Sequence, residues 1–190
     1  MADALITELR ALIPNPCPLR PFVCKGLPQS CNVLVIGDNP ATQMGTDWWR
    51  WWNDETGFDL NAFERDYKAR RRAIGKREES PTRRRLGILR DCGLACLETN
   101  GFANERSDGH GAGPSNLALL RLFIARLPGL RAVIAHGNEA HRVLARIDAP
   151  ASIRRWTPPH FSSRGSQMTN AFVETLGHEV REWIGRTASA

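Results

Sequence analysis

The sequence predicts an α/β protein of three layers, α/β/α, around a mostly parallel central sheet. Three observations carry that expectation: short apolar runs of equal length, helical stretches between them, and turn residues after each run. Asn32 to Gly37 (NVLVIG) is rich in β-branched residues and ends in a glycine, as a buried strand feeding a loop does. Leu94 to Thr99 (LACLET) and Arg131 to His136 (RAVIAH) have the same length and a polar end.

The helical stretches have their own signals. Asn116 to Leu127 (NLALLRLFIARL) is apolar on nearly every side and is closed by Pro128-Gly129, so it predicts a well-buried helix. Asn138 to Ile147 follows the third strand. Ser166 to Gly185 places Met168, Phe172, Val173, Leu176, Val180, Trp183 and Ile184 on one helical face. No period of 20–50 residues repeats, which argues against a solenoid or propeller. At 190 residues the chain reads as one domain over 1–190, with a basic insertion at about 65–90.

Composition narrows the class. The chain is 42% hydrophobic and 24% charged, which excludes a wholly disordered or collagen-like protein. Its apolar runs fall far short of the roughly 20 residues that span a bilayer, so no membrane is expected. The start, MADALITELRAL, lacks a basic region followed by an apolar one, so no secretory signal is expected and the expectation is a cytoplasmic monomer. Five cysteines, Cys17, Cys24, Cys31, Cys92 and Cys96, are an odd number with no CxxC pair. They read as free thiols, with neither a disulfide framework nor a metal site expected.

The net charge of +6 is local. Residues 65–90 hold eleven Lys or Arg, among them Arg83, Arg84 and Arg85, against three acids, a local +8 in a chain whose remainder sums to −2. Such a patch is an electrostatic footprint for a polyanion, and nucleic acid is the commonest.

In a parallel α/β sheet, ligands bind beyond the carboxyl ends of the strands, so the residues after each run are the informative ones. After the first comes GDNPATQMGTDWWRWW, in which Gly37 permits a sharp turn and Pro40 stiffens the presentation of Asp38 and Asn39. Trp48, Trp49, Trp51 and Trp52 then crowd into five positions. One pair at helical spacing reads as core, while Trp48 or Trp49 offers a flat face for a base. After the second run, Asn100 in ETNGF carries a donor and an acceptor together, which suits the edge of a base. Late in the chain, WTPPHFSSRGSQ stiffens the approach to His160 with two prolines and places Ser162, Ser163 and Arg164 where they can grip a phosphate. His110, His136, His141 and His178 have no comparable context.

Together, GDNPAT, ETNGF and HFSSRG resemble the motifs of the uracil-DNA glycosylase superfamily, in the same order and over roughly Asn32 to Arg164. Asn39 in the first motif and Arg164 four residues after His160 are closest in style to the mismatch-specific and single-strand-selective branches. Phe161 stands where the family usually has Pro, Asp38 is an unusual neighbour, and Ala41-Thr42 replaces the Gly or Tyr that often follows the motif's Pro. The resemblance implies a uracil-DNA glycosylase-like fold and a monofunctional DNA glycosylase that excises uracil or another deaminated base, with no metal or organic cofactor. It implies Asn39 and His160 as catalytic residues, holding the water and stabilising the departing base. Asp38, Trp48, Trp49 and Asn100 would then bind the base, and Ser162, Ser163, Arg164, Arg83, Arg84 and Arg85 the DNA, with Arg164 filling the space left by the flipped nucleotide. Two other readings use the same sheet edge: a non-catalytic nucleic-acid-binding protein, and a hydrolase of free nucleosides or nucleotides.

Overall fold

A computed structural model describes residues 2–40, 42, 44–103, 115–166 and 168–188; Ala41, His110 and Gln167 lie outside the described residues. In chain order the strands are β1 (Phe22–Val23), β2 (Val33–Gly37), β3 (Trp52–Asn53), β4 (Gly57–Phe58), β5 (Cys96–Asn100), β6 (Ala132–Ala135) and β7 (Arg154–Trp156). The helices are α1 (Ala2–Leu12), α2 (Leu60–Ala73), α3 (Pro81–Asp91), α4 (Leu117–Arg126), α5 (Asn138–Leu144) and α6 (Asn170–Ala188). Five strands form one sheet in the order β1-β5-β2-β6-β7, parallel except for β1. The strands β3 and β4 form a separate antiparallel hairpin.

Alternation along the central strand sorts the two cores. Leu34 and Ile36 of β2 face one side, with α1, α4, α5 and the aromatic residues of the hairpin; Val33 and Val35 face the other, with α3 and α6. The chain runs from β2 to β5 on one side, then crosses over to β6 on the other. This reversal opens a crevice at the carboxyl ends of β2, β5 and β6.

The three expected strands form with shifts of one or two residues. The expected helix from Ser166 begins at Asn170, because the Thr169 hydroxyl accepts the Phe172 N–H and caps it there. Two short strands leave little pattern in the sequence: β1 is two residues in a proline-rich stretch, and β7 is an arginine-rich edge strand with one mostly exposed face.

The tryptophan cluster is structural, which corrects the expectation that Trp48 or Trp49 stacks on a base. A turn of 3-10 helix, Trp48–Trp51, runs into β3. Trp48 is 1% exposed, stacks against Trp52 and Phe58, and donates its indole N–H to the Phe22 carbonyl at 2.8 Å. Trp49 donates to the Pro14 carbonyl, with the Arg10 guanidinium over its face, and Trp51 donates to Asp66. Their apolar area is best satisfied by joining the N-terminal segment, the hairpin and α2 into one core.

Part of the basic segment is likewise drawn inward: Arg71, Arg83 and Arg85 are buried, while Arg65, Lys68, Arg72, Lys76, Arg77 and Arg84 stay exposed. The segment forms the end of α2, a turn, and α3, which packs on α6 through Leu86 and Leu89. Arg83 is buried against Glu98 at 2.5 Å, so its expected role as an outward DNA contact is corrected. Arg90 bridges Glu98 and Glu64, while Arg72 and Arg84 pair with Glu78 and Glu79 at the surface. The outward charge is thinner than +8 implies.

Trp48→Ala is expected to cost about 3–5 kcal/mol, because it opens a cavity where the hairpin meets the sheet. Urea unfolding measures this, and Trp49→Ala is expected to cost less.

Candidate functional site

Two glycines let the loops converge. A Cβ on Gly37, at the end of β2, would sit 2.8 Å from Asn100 Oδ1 and 3.1 Å from His136 Nε2. Gly137 has φ +95°, and a Cβ there would lie 2.7 Å from the His160 ring and 2.8 Å from the Asp38 carboxylate. Only the missing side chains allow Asp38, Asn100, His136 and His160 to approach so closely.

Asp38 is fixed from across the fold. Its Oδ1 accepts the Ala140 N–H of the first turn of α5 at 2.9 Å, a helix-capping contact between residues 102 apart in sequence. Its Oδ2 lies 3.8 Å from His160 Nε2. The Ser162 N–H donates to His160 Nδ1 at 3.1 Å, and the Ser162 hydroxyl lies 2.6 Å from the same nitrogen. With Nδ1 accepting, Nε2 carries the proton of the neutral ring. Burial pushes the His160 imidazole below its ordinary value, Asp38 pulls it back, and the Arg85 charge lowers it further.

His136 is the second imidazole of the site and was not expected there. The Phe161 N–H donates to its Nδ1 at 3.3 Å, and the Phe161 ring stacks on it, centroids 4.2 Å apart and planes 7° apart. Its Nε2 therefore bears the proton and faces the cavity. Phe161 thus gains a reason where proline is usual, since a proline has no N–H to give. Burial, with His160 and His141 nearby, holds His136 well below the ordinary histidine value. His141 also has a context: Nε2 donates to the Ala135 and Pro158 carbonyls, tying β6 to the His160 loop. His178 is exposed on α6.

Arg85 does not face DNA, which corrects the second arginine expectation. It is 8% exposed and donates to the carbonyls of Phe161, Ser163 (3.0 Å) and Met168. A planar guanidinium that satisfies three carbonyls holds the His160 loop in place.

Asp38, Asn100, His136 and His160 line a cavity of about 300 Å³. Among the expected site residues it collects Asp38, Asn39, Asn100, His160, Ser162 and Arg83. Trp48, Trp49, Ser163, Arg164, Arg84 and Arg85 are not in its lining; Arg164 is exposed on the following loop and Arg84 is exposed on α3. The lining adds Arg20, Tyr67, Arg71, Lys76, Ser80, Glu98 and His136, which motif reading missed. The spacing Phe63, Tyr67, Arg71 marks one face of α2 and was the available signal. Burial alone would raise the Tyr67 phenol, but hydrogen bonds with Ser80 and Thr42 and the Arg20 and Arg83 charges hold it below the usual tyrosine value.

All five cysteines are buried free thiols, and among the described residues no group of three His, Cys, Asp or Glu side chains is arranged to hold a metal. No helix is long and apolar enough to cross a membrane among the described residues. No family model matches the chain, and no curated protein matches it significantly.

Two outcomes follow from this geometry. The unfolded chain binds a proton at His136 that the folded one refuses, so this group's stabilisation is full above about pH 6.5 and is lost as pH falls toward the folded value. Urea midpoints are expected to drop between pH 7 and 5, and His136→Gln to flatten that drop. Arg85→Leu is expected to speed amide hydrogen exchange in residues 160–168 by about tenfold or more, since three buried carbonyls lose their donor.

Proposed function

We propose that the chain is a monofunctional DNA glycosylase that hydrolyses the N-glycosidic bond of uracil or another deaminated base. The observation that carries this reading is the meeting of Asn39 and His160, from two separate loops, with Asn100 at the end of β5, on one cavity at the carboxyl ends of parallel strands. The likeness of GDNPAT, ETNGF and HFSSRG to the uracil-DNA glycosylase superfamily supports it, as does a mostly parallel sheet with helices on both faces.

A flipped nucleotide would place its base in the cavity, where the Asn100 amide meets the pairing edge. Water held by the Asn39 side-chain carbonyl adds to C1′ of the sugar, the C1′–N bond breaks, and its electron pair leaves with the base. Negative charge then develops on the base, and the Nε2–H groups of His160 and His136 are the fixed donors available to it. A carboxamide cannot take the water's proton, but the Asp38 carboxylate beside His160 can, and can pass it to solvent. Arg164, exposed on the loop after His160, would fill the vacated stack.

A second reading, hydrolysis of a free nucleotide, is favoured by one observation. Arg20, Arg71, Lys76 and Arg83 line the cavity itself, and a small anion would meet them there.

Oligonucleotides, single-stranded and duplex, carrying uracil, hypoxanthine or xanthine are assayed for alkali-labile abasic sites, beside free deoxynucleotides assayed for released base. Abasic sites are expected with wild type. His160→Ala and Asn39→Ala are each expected to lower the rate by about 10²–10³, while Asn39→Asp preserves or raises it. Release from free nucleotides alone would move the assignment to the second reading. DNA binding without release from any substrate would leave a binding protein.

A further inference from the structure

The cavity has two unlike walls. Asp38, Asn100, His136 and His160 form one, at the strand ends; Tyr67, Arg71, Lys76, Ser80 and Arg83 form the other, from α2, the following turn and the start of α3. Together with Asn39, also in the lining, the first wall accounts for every group that acts at the bond broken in the proposed reaction. The second has no part in it.

The charges of the second wall do not cancel. Glu98, also in the lining, is held between two cations, Arg83 at 2.5 Å and Arg90. Asp38 lies on the opposite wall with His160. Among the described residues no carboxylate pairs with Arg71 or Lys76.

Arg71 is the informative group. It is only 9% exposed, and its guanidinium packs over the Tyr67 ring. Nε donates to the Arg77 carbonyl at 2.5 Å and Nη1 to the Thr42 hydroxyl at 3.1 Å, both neutral acceptors, while Nη2 makes no hydrogen bond to a described residue. A cation so buried, with no countercharge and a spare donor in a cavity lining, is costly unless an anion meets it. Tyr67 donates its O–H to the Ser80 oxygen, which leaves the Ser80 O–H beside it as a neutral donor.

We infer that the wall of Tyr67, Arg71, Lys76, Ser80 and Arg83 is an oxyanion subsite that takes a phosphate or carboxylate carried into the cavity by the substrate. Guanidinium groups and hydroxyls are the donors such groups favour. The inference rests on the proposed reaction only for what the anion is attached to; binding of the anion itself does not require it.

Isothermal titration of the purified protein with inorganic phosphate is the test. One saturable site is expected. Arg71→Met should weaken it about tenfold or more, as loss of a buried charged hydrogen bond does. Lys76 is exposed at the cavity edge with no side-chain partner that its loss would orphan, so Lys76→Met keeps the fold and is expected to weaken binding about two- to threefold. Arg126→Met, which removes a surface cation far from the cavity, should change nothing. No saturable binding by wild type, or equal binding by the Arg71 and Lys76 variants, overturns the subsite.

The source of the anion is read by comparing uracil with uracil-5-carboxylate, and deoxyuridine with its 5′-monophosphate. An Arg71-dependent gain in the first pair assigns a carboxylate on the base, and one in the second pair assigns the nucleotide phosphate; a gain in neither overturns the substrate role. Phosphate binding without base release would remove the glycosylase and keep the subsite, and base release without phosphate binding would do the reverse.

Discussion

The carboxylate of Glu98 sets much of the rest. It stands on β5 at 5% exposure, on the face that packs against α3. A buried carboxylate without partners is costly enough to unfold a domain of this size, and here Arg83 and Arg90, from two turns of α3, enclose it. That requirement fixes α3 against the sheet. Because α3 is so placed, Arg85 reaches the carbonyls of the His160 loop and Arg83 reaches the cavity. Two of the arginines that read as a surface patch, Arg83 and Arg90, are the countercharge of one sheet residue, and a third, Arg85, is spent on backbone carbonyls.

From α3 the order passes to the chemistry in short steps. Arg85 holds the carbonyls of Phe161, Ser163 and Met168; Phe161 then holds His136 by ring and by backbone N–H; Ser162 holds His160; Asp38, anchored on α5, stands beyond it. Each group has a defined tautomer or acceptor role before any ligand arrives. Such preorganisation makes donors effective on developing charge, since nothing need reorient during bond breaking.

What the sequence disclosed followed from period and position. The three buried strands are parallel and covered on both faces, so their apolar runs were visible and the loops after them were the right place to look. Asp38, Asn39, Asn100 and His160 were legible for that reason. Trp48 and Trp49 were misread because an indole suits a base and a core equally well, and only packing against Phe22, Phe58 and Trp52 distinguishes them. Arg83 and Arg85 were misread because charge in a sequence carries no direction; their buried partners are 15 and 76 or more residues away. His136 gave no local signal at all, since its role comes from Phe161, which is 25 residues further on.

The margins of the sheet carry a different consequence. One edge is β1, two residues long and fully covered; the other is β7, where Arg154 pairs with Glu179 and Arg155 donates to the Ile147 carbonyl. A flat apolar margin with a long row of unsatisfied backbone groups invites a second chain to add a strand. Here one margin is too short to template pairing, and the other presents like charges that a second copy of itself would have to bring together. Growth of the sheet from molecule to molecule, the route by which many α/β proteins aggregate at high concentration, is therefore disfavoured by the same arginine-rich strand that leaves so little trace in the hydrophobic pattern.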